Sequence, residues 1–180
     1  MNLLSIFQQR HSIRKYTGAP IDDAALTQII QAGLLSASSR SIRPWEFIVV
    51  KDKDMLRHLS ECRTGAAWML AGADAAIVVI SNAEVSDVWI EDSSIAMANM
   101  HLMADSLGIG SCWIQGRLRT ATSADSGTAS ITTEDYVREC LHFLEGYKLE
   151  AILSLGMPAE EKTPAELSKL PFEKIHYEKF

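Results

Sequence analysis

Apolar residues recur along this chain with two different periods. After Asp22, a candidate N-cap, the residues Leu26, Ile29, Ile30, Gly33 and Leu34 fall at i, i+3, i+4, i+7 and i+8 and predict a helix with one apolar stripe. A short helix is expected at Leu3 to Gln9. Four runs, Glu46 to Val50, Ala75 to Ile80, Ser111 to Ile114 and Glu150 to Leu155, are apolar almost throughout, rich in Val, Ile or Leu, and bounded by polar or Gly residues. Such runs suit strands covered on both faces, which predicts one sheet with helices on either side. From about Ser86 to Leu107, Val88, Trp89, Ile95, Met97, Ala98, Met100, Leu102, Met103 and Leu107 leave almost no wholly polar face. This helix is expected to be surrounded by protein, as core alone or as core and subunit interface together, with a length of roughly 30 Å at 1.5 Å per residue. Glu91, Asp92 and His101 on it speak against a bilayer segment and suggest that part of its surface meets a polar cavity or a partner.

Composition narrows the class. The 180 residues hold no internal repeat and no linker separating two cores, so residues 1–180 are expected to form one domain; 47% are apolar and 22% charged. Seventeen Lys and Arg against 23 Asp and Glu give a net charge of -6, which argues against a generally basic nucleic-acid binder. Cys62, Cys112 and Cys140 form no recognisable framework, and no charged-then-apolar leader follows Met1, so reduced thiols and a cytoplasmic location are expected. Charge-free apolar runs such as Ala75 to Ser81 fall far short of the ~20 residues that cross a bilayer, so no membrane role is expected. Between Arg117 and Glu134 the chain turns to Thr, Ser, Ala and Gly, as expected of a mobile loop that is either a cover over a site or a tolerated insertion.

Several familiar chemistries fail. Gly108-Ile109-Gly110 opens like a dinucleotide fingerprint, but Trp113 stands where the third Gly belongs, and the pair follows a helix and precedes a strand, the reverse of the required order. No phosphate loop ends in Gly-Lys-Ser or Gly-Lys-Thr, and no Gly-x-Ser-x-Gly elbow exists. His58 and Cys62, four apart on an expected helix, have no second ligand pair, so no metal site is expected.

Two polar clusters remain. Arg10, His11, Arg14 and Lys15 surround Ser12 in an otherwise acidic chain. Guanidinium groups and a hydroxyl suit a phosphate, and a solvated basic turn is the alternative. The second cluster, Ser36-Ala37-Ser38-Ser39-Arg40-Ser41-Ile42-Arg43-Pro44-Trp45, precedes the first strand and offers short donors and a rigid turn where a heteroaromatic ring could be bonded at its edge. A serine-rich helix exit would look the same.

The sequence resembles the nitroreductase family of FMN-dependent oxidoreductases over nearly its whole length. The likeness runs through Arg10-His11-Ser12-Ile13-Arg14-Lys15-Tyr16 and Ser38-Ser39-x-Ser41-x-Arg43-Pro44-Trp45-x-Phe47. It resumes at Asp92-Ser93-Ser94-Ile95-Ala96-x-x-Asn99-Met100 and Leu107 to Ile114, and closes with Glu145-Gly146-Tyr147 and Leu153 to Pro158. The resemblance implies an α+β three-layer sandwich, a central mixed sheet flanked by helices, in an intertwined homodimer with FMN at the subunit interface. It implies that Arg10, Ser12 and Arg14 hold the phosphate or ribityl region, with His11 contributing through its backbone. Ser38, Ser39, Ser41 and Arg43 would come from the opposite subunit, Glu145 and Gly146 would lie beside the reactive edge, Lys162 would be a late phosphate contact, and Gln115 and Arg117 would neighbour the ring. Residues 164–180 would form an arm on the partner subunit.

Three departures stand out. Ser41 and Arg43 occupy positions where many members carry Asn and Gln, and positive charge from Arg43 near the ring would raise its reduction potential. Leu144 replaces a Pro often found before the Glu-Gly pair, and Arg117 to Thr133 is shorter than the insertion of larger members. The implied activity carries reducing equivalents from NADH or NADPH through FMN to a small electron-poor acceptor such as a nitroaromatic, quinone or enone, with no side chain acting as nucleophile. A non-catalytic or flavin-processing FMN-binding protein is the competing expectation.

Overall fold

The computed structural model describes residues 2–121 and 130–180. Its sheet follows from the four apolar runs, each extended at one or both ends: β1 (Trp45–Val50), β2 (Ala75–Asn82), β3 (Gly110–Gln115) and β4 (Tyr147–Gly156), in the spatial order β1-β2-β4-β3. All three strand pairs are antiparallel. The mixed character expected of the sheet is confined to one parallel bridge, Ser12 to Ser111, where the N-terminal segment meets the outer edge of β3.

Both faces of the sheet are covered, as the unbroken apolar runs require. On one face Ala76, Val78 and Ile80 of β2 join Leu56 and Leu59 of α3 (Lys53–Leu59), the 3-10 turn Trp68–Gly72, and Val137 of the last helix, Thr133–Leu141. On the other, Ala75, Ile77 and Val79 meet Leu26 and Ile29 of α2 (Asp23–Leu34) and Met97, Met100 and Ala104 of α4 (Trp89–Ser106). The two helices pack closely because Gly33 has no side chain: a Cβ there would lie 2.8 Å from Met100 Sδ and 2.9 Å from Phe47 Cε2. The α1 helix (Leu3–Gln9) buries none of its residues.

One irregularity in β4 positions later chemistry. The register with β2 slips between Val79, opposite Ala151, and Ile80, opposite Leu149, leaving Glu150 as an extra residue. This β-bulge allows Leu149 and Ile152, an odd number of residues apart, to share one face. It also buries the Glu150 side chain to 3% exposure.

Several boundaries differ from the pattern-based expectation. The long helix starts at Trp89 rather than Ser86, because Ser86 lies in the preceding turn with its hydroxyl 3.4 Å from Asp92 Oδ2. Cys62 is not on a helix with His58: α3 ends at Leu59 and Cys62 sits buried in the core beyond it, its thiol pushed up to about 12 by burial first and by Cys140 second. Part of the expected loop is helix, α5 (Thr133–Leu141), started by Thr132, whose hydroxyl oxygen accepts the Asp135 N–H at 3.0 Å. Residues 122–129 of that loop lie outside the described residues. The start of the C-terminal segment is held by its own chain, the Ala165 N–H donating to Gln8 O at 2.9 Å and Gln8 Nε2 to Ala165 O at 3.0 Å. From Leu167 onward the hydrogen bonds of the described residues stay within the segment, and Leu167, Leu170, Phe172, Ile175, Tyr177 and Phe180 are exposed. No helix of the described residues is long and apolar enough to cross a membrane.

Gly156, at the end of β4, gives a direct test of how the N-terminal segment is seated. A Cβ there would stand 2.6 Å from the Cγ and Cδ1 atoms of Tyr16. Gly156→Ala should therefore lower stability by about 1–3 kcal/mol through overpacking and loosen the Ser12–Tyr16 segment, read by denaturant unfolding and by amide exchange at Ile13. Unchanged stability with full protection at Ile13 would refute this seating.

Candidate functional site

The basic cluster is organised by the exposed edge of β3. After α1 the chain turns extended: the Ile13 N–H donates to Ser111 O at 2.9 Å, the Thr17 N–H to Met157 O at 2.9 Å, and the Ala159 N–H to Lys15 O at 2.9 Å. Ile13 and Tyr16 face inward, and the Tyr16 hydroxyl lies 2.7 Å from Ser154 Oγ and 2.9 Å from Ile13 O. Burial pushes that phenol far above its ordinary value, with the Ser154 bond opposing, so it stays a neutral donor. Around the buried Ile13, Arg10 and Ser12 are half-buried and Arg14 is exposed.

Glu160 completes the cluster. Its Oε1 accepts the Arg14 N–H at 2.7 Å and the Lys15 N–H at 3.3 Å, and its Oε2 pairs with Lys162 Nζ at 2.8 Å. The Arg14 backbone bond first and Lys162 next hold its carboxyl down to about 2. Glu160 thus bonds the backbone of Arg14 and Lys15 and the Lys162 ammonium, not a guanidinium group. Among the described residues neither Arg10 nor Arg14 forms an ion pair with a carboxylate. Arg10 Nη1 instead meets His101 Nε2 at 3.0 Å. His11 turns to its own chain, with Nδ1 2.6 Å from Gln9 O. Burial pushes the nearby Cys112 thiol up, opposed by Arg14 and by the Ser12 hydroxyl.

At the far end of the same strand, the Gln115 amide accepts from Trp113 Nε1 at 2.9 Å and donates to Glu150 O at 3.3 Å. The Gly116 and Arg117 N–H groups also reach Glu150 O, at 3.1 and 3.0 Å. The Glu150 carboxyl is pushed up by burial, with Gln115, Arg117 and Ser94 opposing, and its Oε2 has no partner among the described residues. Arg117 lines a cleft of ≈ 630 Å³ together with Trp89, Arg119, Thr132, Glu134 and Lys148.

The serine and arginine cluster lies elsewhere. Ser39 N–H donates to Asp92 Oδ1 at 2.9 Å, and Arg43 N–H to Ser38 Oγ at 2.9 Å. Arg40, Ser41 and Arg43 all have left-handed backbone angles, with φ of 52°, 55° and 53°, a conformation costing roughly 1–2 kcal/mol per non-glycine residue. The Arg40–Asp87 ion pair and the Asp92 bond hold the turn in this form. Pro44 O accepts the Asn82 N–H at 3.0 Å, and Gly146 O accepts the Ala83 N–H at 3.2 Å. Ser38, Ser39, Ser41 and Arg43 therefore share one end of the sheet with Glu145 and Gly146, whereas Arg10, Ser12, Arg14 and Lys162 sit at the other. Nine strand steps of β4 between Tyr147 and Gly156 put about 30 Å between those ends. Within one subunit the Arg10 group stands at the Gly110 end of β3, whereas Gln115 and Arg117 lie toward the opposite end of the sheet, where Arg117 shares its cleft with Ala83, the residue bonded to Gly146 O. The polar partners that sequence reasoning did not assign are Glu160, Ser111 and Glu150.

A segment carrying Arg10, Arg14 and Lys15 thus lies along the outer edge of β3 in an antiparallel α+β sheet covered on both faces, a donor set whose chemistry suits an anion. The sequence profile of the nitroreductase family matches residues 7–67 and 55–157. The chain belongs to the nitroreductase family. An FMN-dependent nitroreductase from Clostridium difficile R20291 superposes with a TM-score of 0.91 at 43% identity, covering 98% of this chain and 99% of that one. A protein of Archaeoglobus fulgidus, provisionally named NADH dehydrogenase/NAD(P)H nitroreductase, is 35% identical over 98% of each chain. An NADPH-flavin oxidoreductase of Vibrio harveyi is 28% identical over 69% of this chain and 58% of its own.

The Glu160 clamp yields a pH prediction. Its folded pKa lies below the unfolded value, so its contribution is complete above about pH 4.5 and drains away as pH falls toward 2. Glu160→Gln should cost about 1 kcal/mol or less at neutral pH, a difference that narrows below pH 4. Denaturant unfolding at stepped pH checks this, and a difference that grows on acidification would contradict it.

Proposed function

We propose that this protein is an FMN-dependent NAD(P)H oxidoreductase acting on small electron-poor acceptors such as nitroaromatics, quinones or enones. The observation that carries the reading is the Arg10, Ser12, Arg14 and Lys162 group seated at one end of the β3 edge, with Gln115 and Arg117 at its other end. The donor set fits FMN: two guanidinium groups without carboxylate partners and a hydroxyl suit a phosphate dianion. On the outer edge of β3, away from β4, no strand pairs beyond Ser111 among the described residues, leaving backbone N–H and C=O groups that suit a ring with both donors and acceptors. When bound, FMN supplies the redox chemistry, taking hydride from NADH or NADPH and passing reducing equivalents to the acceptor. Arg10 and Arg14 bind and orient the phosphate, Ser12 contributes its hydroxyl, and the Gln115 amide, fixed by Trp113 and Glu150, orients the ring's polar edge. No side chain is needed as nucleophile or general acid.

The site is completed by a second copy of the chain. Ser38, Ser39, Ser41 and Arg43, far from Arg10 within one subunit, reach the same flavin from the partner, and Glu145 and Gly146 accompany that end. The exposed apolar residues Leu3, Leu4 and Phe7 of α1, Ile95 of α4 and those of the 164–180 arm supply the surface that such a homodimer covers.

Two experiments test this reading. Arg10→Ala with Arg14→Ala should leave a folded protein that has lost its flavin, since two charge-assisted bonds at about 1.5–3 kcal/mol each amount to roughly 10²- to 10⁴-fold in affinity. A double variant that purifies with full yellow colour would contradict the phosphate assignment, and a yellow wild type that neither NADH nor NADPH bleaches would be a passive flavin carrier. Truncation after Lys169 should weaken the dimer and, because the site is shared, lower flavin occupancy as well. Sedimentation and absorbance at 450 nm report the two effects, and a truncated dimer that persists at nanomolar concentration with full flavin would place the arm elsewhere.

A further inference from the structure

The basic cluster contains a buried residue that the proposed chemistry leaves unused. His101, 6% exposed on α4, lies between the N-terminal segment and β3, with Nε2 3.0 Å from Arg10 Nη1 and Nδ1 2.5 Å from Ser111 Oγ. A guanidinium can only donate, so Nε2 must present its lone pair; a neutral imidazole then carries its proton on Nδ1 and donates it to the serine. The charged alternative would place two cationic donors face to face in a buried site. Burial first, and Arg10 second, push the imidazole down to about 4, in keeping with a neutral ring. The other charged group facing this point, Asp105 one turn further along α4, is itself pushed up by burial, with Arg10 and His11 opposing.

Ser111 is also the residue whose carbonyl holds Ile13. The side chain of Arg10 and the backbone of its segment are thus tied to the same strand position by two routes, one through His101. A carboxylate at position 101 would hold the guanidinium equally well but cancel its charge. An imidazole holds it and leaves the charge available.

We propose that His101 is a positioning residue for the phosphate end of the flavin site, fixing the Arg10 guanidinium as a neutral acceptor in the Nδ1–H tautomer while leaving its charge for the ligand. This rests on the assignment of Arg10 to the FMN phosphate. The role predicts an effect confined to ligands that carry the phosphate, so the probes are FMN and riboflavin added to flavin-stripped protein.

His101→Gln retains an acceptor and a donor and should bind FMN within about threefold of wild type. His101→Leu should lose roughly tenfold, the cost of ordering a free arginine, and His101→Glu at least as much through charge cancellation. Riboflavin affinity should be the same in all four proteins. Equal FMN affinity throughout, or parallel losses for FMN and riboflavin, would overturn the proposal. If His101→Leu does not fold, the Gln and Glu variants carry the comparison. Nitrogen-15 NMR of the wild type provides an independent reading: His101, identified by its absence in His101→Gln, should be protonated at Nδ1 only and should not titrate above pH 5. An Nε2–H or imidazolium signal at neutral pH would overturn it without any variant. Arg10→Ala separates the two layers of argument. If that variant keeps the preference for FMN over riboflavin, the phosphate assignment itself fails; if it loses the preference and the His101 variants do not, only the role of His101 falls.

Discussion

The hydrogen bond from the Ile13 N–H to Ser111 O fixes where the candidate site is. An edge strand leaves a row of backbone donors and acceptors unpaired, and proteins manage that exposure by covering or interrupting the edge. Here the residues after α1 cover only its beginning. Ile13 fits against Gly110, where a Cβ would come within 2.7 Å of Ile13 Cγ2, and Tyr16 fits against Gly156 in the same manner. Two glycines at one end of neighbouring strands thus provide the groove into which an arginine-rich segment is laid. The remaining edge, toward Gln115, stays open beside it. Binding surface and fold are consequently one feature: the contact that seats the N-terminal segment also places Arg10, Ser12 and Arg14 beside the edge of β3.

The β-bulge at Glu150 plays the matching part at the other end of β3. Its carbonyl collects the N–H groups of Gly116 and Arg117 and the amide of Gln115, so the chain leaving β3 curls around the bulge instead of continuing straight. The cost is a carboxyl in a buried place with one oxygen unpartnered among the described residues. Burial favours the protonated form, which lowers that cost relative to a buried anion. An apolar residue would serve packing against α4 at least as well, so the carboxyl is not explained by core stability.

How much of this was legible depended on the range of the interactions involved. The stripe from Leu26 to Leu34 and the four apolar runs are local signals, and the helix and strands formed where those signals lay. The α5 helix carried its own local mark, Thr132-x-x-Asp135 ahead of Tyr136 and Val137, but the surrounding Thr and Ser obscured it. Cys62 lay outside α3 because Ser60 already caps the last turn, its N–H bonding to Leu56 O. The bulge could not be read at all, since it exists only in the register between β4 and β2, two segments some seventy residues apart. The same holds for His101: the sequence marked it as a polar residue on an apolar helix, while Arg10, its partner, stands 91 residues away. The antiparallel order of the sheet was likewise a property of pairing, not of any one run.

The separation between the two polar clusters carries the last step. A residue set joined only by resemblance could belong to one pocket, to two, or to none. Within a subunit the strained Ser38–Arg43 turn and the Arg10 segment stand at opposite ends of the sheet, each already ordered: the first by Asp92 and Asp87, the second by β3 and Glu160. The left-handed angles at Arg40, Ser41 and Arg43 are set against three contacts in the same turn, Asp87 on Arg40, Asp92 on the Ser39 N–H and Ser38 Oγ on the Arg43 N–H, and backbone strain of this kind clusters at functional sites. In the proposed reading, these two ordered clusters, apart within one chain, and the exposed apolar residues of the 164–180 segment would find their use if a second copy turned its serine and arginine cluster toward the first copy's β3 edge. Dimer contact and flavin binding would then share the same residues, so each would stabilise the other by mass action.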